Sequence, residues 1–154
     1  MIITFCGHSK ISEAITISEK LAEVLNGIFE KALADGLPLT FYCGGYGDFD
    51  LLAAEGVEKT RIEFPAVRCE KIFVTPYITP SYSERNARMK ALYDDVLYPP
   101  LETTPYRLAI VKRNEWMVSQ SDLVIAYVLY SWGGAARTLE YAEKRKKKII
   151  RLDG

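Results

Sequence analysis

The chain contains one histidine in 154 residues. That scarcity excludes a metal site built on two histidines, and any serine–histidine–acid triad must use His8. The three cysteines, Cys6, Cys43 and Cys69, form no C-x-x-C pair, so no zinc or redox motif is present. Their odd number argues for reduced thiols, either small buried hydrophobes or a reactive group. Net charge is also absent, because 20 lysines and arginines balance 20 aspartates and glutamates. No overall field steers the protein to a polyanion, so nucleic acid is not expected as a partner, a local patch aside. No apolar run approaches the roughly 20 residues of a membrane helix, so no membrane partner is expected. Met1 to Phe5 lead directly into a strand, with no basic or long apolar segment first. A secretory signal is therefore not expected, and the cytoplasm is the expected compartment. G-x-G-x-x-G is missing as well, since strand one is followed by Gly7-His8-Ser9-Lys10-Ile11-Ser12. A Walker A lysine pattern is missing too. An ordinary dehydrogenase or P-loop ATPase is excluded, and no metal or cofactor is expected.

What is present is an ordinary globular composition, 49% apolar and 26% charged, in a length that suits a single domain over 1–154. Short apolar runs predict strands at 2–6, 39–43, 71–75, 123–128 and 148–152. The run at 123–128 is continuously apolar, as in a strand covered on both faces. Helical periodicity predicts helices from near 12 or 18 to 35, from 49 to 63, from Pro105 to 121, and from 135 to 147. A short helix is expected over 84–93. Val96-Leu97-Tyr98-Pro99-Pro100 reads as a loop, because adjacent prolines cannot continue a helix. The alternation predicts an α/β fold, a three-layer Rossmann-like domain with a mainly parallel sheet of about five strands. In such folds ligands bind at the carboxyl ends of the strands. Loops rich in glycine, hydroxyls or aromatics follow the first four strands, at 7–9, 44–48, 75–82 and 131–134, so they share one rim.

Each loop admits two readings. Gly44-Gly45-Tyr46-Gly47-Asp48 opens the second helix, either as a phosphate cradle or as a tight connection. Gly7-His8-Ser9 offers main-chain N–H groups and a hydroxyl. His8 is either a general base or a hydrogen-bonding wall residue. Arg113 and Asn114, on the helix before strand four, either bind phosphate and ribose or serve solvation and packing. Gly133-Gly134 precede a helix that carries Thr138 in its first turn and Glu140 slightly deeper. Glu140 is either a cleft carboxylate that binds ribose or acts at an anomeric carbon, or a solvent-facing partner of Lys144. The basic run 144–148 is either a nucleic-acid patch or a helix end complementing the dipole. Tyr42, Tyr46, Tyr77, Tyr82, Tyr127, Tyr130 and Trp132 near the strand ends are partly core, but such a rim suits a nucleobase by stacking.

Three segments together resemble the SLOG superfamily, which takes in DprA, the LOG enzymes and the YpsA-like proteins. They are Thr4-Phe5-Cys6-Gly7-His8-Ser9, the run from Tyr42 to Asp50, and the stretch from Lys112-Arg113-Asn114 through Ser121-Asp122-Leu123 to Gly133-Gly134-Ala135-Ala136-Arg137-Thr138. Val74-Thr75-Pro76-Tyr77 and the long insertion before Arg113 are most similar to the YpsA-like branch. The resemblance implies a Rossmann-like fold binding a nucleotide or nucleotide-derived small molecule, as a sensor or regulator. The implied pocket is Gly7, His8, Ser9, Gly44, Gly45, Gly47, Asp48, Arg113, Asn114, Gly133, Gly134 and Thr138. LOG enzymes carry P-G-G-x-G-T-x-x-E, and the matching run here is Trp132 to Glu140. The glutamate coincides with Glu140, whereas Trp132, Ala136 and Arg137 replace the proline, the third glycine and the threonine. The alternative function is N-glycosidic bond cleavage, of the phosphoribohydrolase or deoxyribosyltransferase kind, with Glu140 catalytic. A homo-oligomer through the aromatic 77–106 segment is a further expectation.

Overall fold

The structure, a computed structural model, describes residues 1–78 and 91–153. Most of the helix expected over 84–93 lies outside the described residues, as do Tyr82 and the rest of the third rim loop beyond 78.

Among the described residues, six strands join one sheet in the order β4-β3-β2-β1-β5-β6, and every neighbouring pair is parallel. They are β1 (Ile2–Gly7), β2 (Leu39–Cys43), β3 (Cys69–Val74), β4 (Asp95–Leu97), β5 (Leu123–Tyr127) and β6 (Lys148–Arg151). Strand β4 is the difference from the sequence reading, which takes Val96 and Leu97 as loop. Three residues are too few to show a period, and Pro99-Pro100 mask what precedes them. Pairing supplies the missing signal: Phe73 registers with Val96, and the Thr75 N–H reaches the Leu97 carbonyl at 2.9 Å.

Alternation along β1 divides the core. Ile3 and Phe5 face α1 (Ala14–Asp35) and α2 (Asp48–Glu63), within a cluster that holds Leu21, Leu25, Phe29, Phe41, Phe49 and Val57. On the opposite face, Cys6 packs with Val124, Ala126, Leu139 and Ala142. That face carries α3 (Ala109–Gln120) and α4 (Gly134–Lys144). Phe29 and Phe41 are fully buried and stack at 5.9 Å; truncating such a ring costs about 3–5 kcal/mol. All five residues of β5 are buried, as its unbroken apolar run predicts. Pro105 does not begin α3 itself; it caps a 3-10 turn, Tyr106–Leu108, that leads into it. No described helix is long and apolar enough to cross a membrane.

Strand order reverses direction at β1, whose neighbours are β2 and β5. The chain leaves β1 and β5 towards opposite faces of the sheet, so a crevice opens outside their carboxyl ends.

Candidate functional site

That crevice holds a cleft of about 530 Å³, within the range of small-molecule sites. Three rim loops and α3 contribute to it: Gly7 to Lys10 at the end of β1, Gly44, Tyr46 and Asp50 after β2, Tyr130, Trp132 to Ala135 and Thr138 after β5, and Arg113 with Asn114 from α3. The described part of the loop after β3 does not line it.

The glycine turn after β2 is a connection rather than a cradle. At the start of α2, the Asp48 N–H is bound to the Ser9 carbonyl at 2.8 Å, and the Phe49 N–H to the His8 carbonyl at 3.3 Å. The Tyr46 N–H donates to the Asp50 carboxylate at 3.2 Å. These donors are spent inside the protein, so this helix start has few to offer an anion. Gly47 has φ +87°, and a side chain there would meet Ser9 Cα at 2.8 Å. Gly7 and Gly45 are likewise held by packing, against Phe49 and Phe73. Asp48 turns away to accept the Ile11 N–H at 3.1 Å. Neither Gly45, Gly47 nor Asp48 lines the cleft.

At α4 the situation is reversed. No side chain caps the helix, and the first internal bond runs from the Arg137 N–H to the Gly133 carbonyl. The amides of Gly134, Ala135 and Ala136 are therefore free of intrahelical partners. Around the positions where Gly133 and Gly134 would carry a side chain, nothing lies within 4 Å. Gly133 needs its freedom for φ +94°. Gly134 is required neither by its backbone nor by a neighbour, which leaves open space beside the exposed amides. Thr138 is buried and donates its hydroxyl to the Gly134 carbonyl at 3.0 Å, fixing that turn.

The floor is charged. Arg113 is 2% exposed. Its Nη1 donates to the Gly44 carbonyl at 3.0 Å and the Val74 carbonyl at 2.6 Å, and its Nε donates to Asn114 Oδ1 at 2.9 Å. It ties the ends of β2 and β3 together beneath the cleft. Asn114 Oδ1 accepts that bond, and its amide NH₂ remains a donor on the cleft wall. Asp50 stands near the guanidinium without closing an ion pair. Burial lifts its carboxyl to about 6, against the opposing pull of the Arg113 charge and the Tyr46 N–H. Burial in turn lowers the Arg113 value, opposed by the Asp50 charge. Cys6 also lines the cleft, but burial, with the Asp50 charge adding to it, pushes its thiol up to about 12. It is a packed hydrophobe and not a nucleophile.

His8 occupies the wall. Its Nε2 accepts the Leu129 N–H at 2.8 Å, so that nitrogen carries no proton, and the ring lies 5.0 Å from Tyr130. Tyr42 and Tyr127 belong to the packing, stacked on Trp116 and Phe49 respectively.

Glu140 is not brought to the cleft. Its side chain is 66% exposed and pairs with Lys144 at 3.0 Å. The helix turns about 100° per residue, so with Thr138 directed at the cleft, a residue two further on points away. The basic run lies at the end of α4 remote from the rim. Lys147 Nζ is committed to the Ser119 and Ser121 carbonyls at 3.2 and 3.0 Å, satisfying the end of α3. Sequence reasoning missed Asp50 and Lys10 as lining residues. Asp50 stands at the end of the run from Tyr42 to Asp50, where nothing in the sequence sets it apart from its neighbours.

No family model matches the chain, and no curated protein matches its sequence. Solved structures that share its fold include two DNA processing proteins. One is DNA processing protein A (DprA) from Helicobacter pylori, described by its unique single-stranded DNA binding mode, with TM-score 0.62, 15% identity, and 98% of this chain covering 64% of that one. The other is DprA from Streptococcus pneumoniae, with TM-score 0.65, 16% identity, and 97% of this chain covering 49% of that one. The chain thus spans less than two thirds of the length of either. The likeness shows the Rossmann-like α/β fold. It also corrects one expectation. Nucleic acid was set aside on zero net charge, yet a protein of this fold binds single-stranded DNA. Net charge sets the long-range field but says nothing about a local site on the rim.

Proposed function

We propose that the chain binds a nucleotide or nucleotide-derived ligand in the rim cleft, as a sensor or regulator of the YpsA-like kind. The observation that carries this reading is the open start of α4. The unpartnered amides of Gly134 and Ala135, with Gly134 itself required by nothing in the protein, face the same cleft as the buried Arg113. A phosphate fits there, because the amides point at it, the helix dipole favours its charge, and Arg113 and Lys10 add positive charge. On the opposite wall, the Asp50 carboxylate and the Asn114 amide offer an acceptor and a donor for ribose hydroxyls. The N-glycosidic alternative takes Glu140 as its carboxylate, and Glu140 lies outside the cleft, paired with Lys144.

A second reading, favoured by the single-stranded DNA bound by the Helicobacter neighbour, takes the terminal phosphate of a nucleic-acid strand as the ligand. Calorimetric titration separates the two. AMP, ADP-ribose and NAD form one arm, and 5′-phosphorylated and unphosphorylated oligothymidylate the other. Saturable binding in the first arm supports a small-molecule site. Binding only of the phosphorylated strand supports the second reading. No heat in either arm removes both.

A further inference from the structure

The lip of the cleft is as apolar as its floor is charged. Leu129, Tyr130 and Trp132 follow β5 and are 54%, 50% and 69% exposed. Three large apolar side chains within four residues are an unusual surface for a chain whose core already has ample apolar material. Two of them are ordered against each other: Tyr130 and Trp132 stack at 4.9 Å with 13° between the ring planes. His8 backs Tyr130 at 5.0 Å and is itself pinned by the Leu129 N–H. The result is a supported aromatic shelf, both of whose upper rings also line the cleft. Trp132 immediately precedes the open Gly133-Gly134 turn, so the shelf and the exposed amides share one loop.

Resting on the nucleotide reading above, we propose that the Tyr130–Trp132 stack is the subsite for the ring of an aromatic-base phosphate ester, which enters phosphate first and leaves its base on the lip. The order follows from the placement of charge. An anion cannot sit on the exposed rings with profit, whereas the amides and Arg113 lie inward. Stacking on a ring face does not read the donor and acceptor pattern of the base. The site therefore tolerates different bases and ranks them by stacking area, purine above pyrimidine.

The chain has two tryptophans, so Trp116→Phe makes Trp132 the only one. Trp116 lies outside the cleft and stacks on Tyr42; should that variant fold poorly, the difference between wild type and Trp132→Phe isolates the same signal. AMP and ribose 5-phosphate are titrated by calorimetry and by fluorescence. The expected result is that AMP quenches Trp132 with the dissociation constant found by heat, while ribose 5-phosphate binds without quenching. Trp132→Ala is expected to weaken AMP about tenfold or more and to leave ribose 5-phosphate unchanged. AMP binding without quenching, or Trp132→Ala weakening both ligands alike, overturns the shelf and leaves the cleft reading intact. Absence of heat with either ligand removes both. A concentration-dependent mass that Trp132→Ala abolishes assigns the shelf to a second copy of the chain and overturns the proposal.

Discussion

Asp50 governs the pH dependence expected from the cleft. Its carboxyl is lifted to about 6 in the folded protein, against an ordinary value of about 3.9 in an unfolded chain. Between those values the folded state holds more of this proton than the unfolded state. Its contribution to stability is therefore complete below about pH 4 and is lost as pH rises through about 6. Asp50→Asn removes that term. Urea unfolding across this window should show wild type losing stability relative to the variant as pH rises, and parallel profiles would contradict the assignment. Arg113 is a different case, because its buried guanidinium holds two carbonyls, of Gly44 and Val74. Arg113→Met should cost about 2–4 kcal/mol in chemical unfolding, the scale of buried charge-assisted bonds left unmade. Glu140 shows where motif matching runs out. The sequence places it correctly in α4, but its direction depends on helical phase relative to Thr138, and a motif with three substitutions does not transmit that phase. The paired reading, with Lys144, is the one the structure contains. Glu140→Gln should change stability by no more than about 0.5 kcal/mol and leave ligand binding unchanged in calorimetry.

At the scale of elements, what was legible is what repeats. Of the stripe Leu21, Val24, Leu25, Ile28 and Ala32 on α1, Leu21, Leu25 and Ala32 are buried and Val24 and Ile28 half-buried against the core, and β5 reads as buried from its run alone. The rim loops were legible because strand ends and glycine clusters coincide. The division of labour between the two glycine turns was not legible. Gly44 to Asp48 and Gly133-Gly134 look alike in sequence, yet the His8 and Ser9 carbonyls consume the amides of the first and nothing consumes those of the second. That distinction lies in contacts across about 40 residues of chain. The basic run after α4 was equally ambiguous, since a charge patch and a helix-end cap share a composition. Lys147 resolves it by reaching the last carbonyls of α3. Lys147→Met should lower stability by about 1 kcal/mol, measured by thermal or urea unfolding, and should not alter binding of any oligonucleotide. Loss of strand binding in this variant would return the run to the role of a nucleic-acid contact.

For the whole molecule, the strand order fixes one crevice, at the β1–β5 reversal, and the cleft lies in it. A ligand that binds only the folded state should stabilise the whole sheet, by about 2.7 kcal/mol at a free concentration roughly 100-fold above Kd. If the ligand is a strand terminus, zero net charge and a single phosphate site imply a shallow salt dependence. The slope of log K against log salt should be near −1, where a groove tracking many phosphates gives a much steeper one. The open start of α4 provides the sharpest test, since Gly134 can be filled without touching the fold. Gly134→Leu should keep the melting temperature of the wild type and weaken AMP at least tenfold by calorimetry. Equal affinity for AMP in wild type and Gly134→Leu would contradict phosphate binding at this helix start.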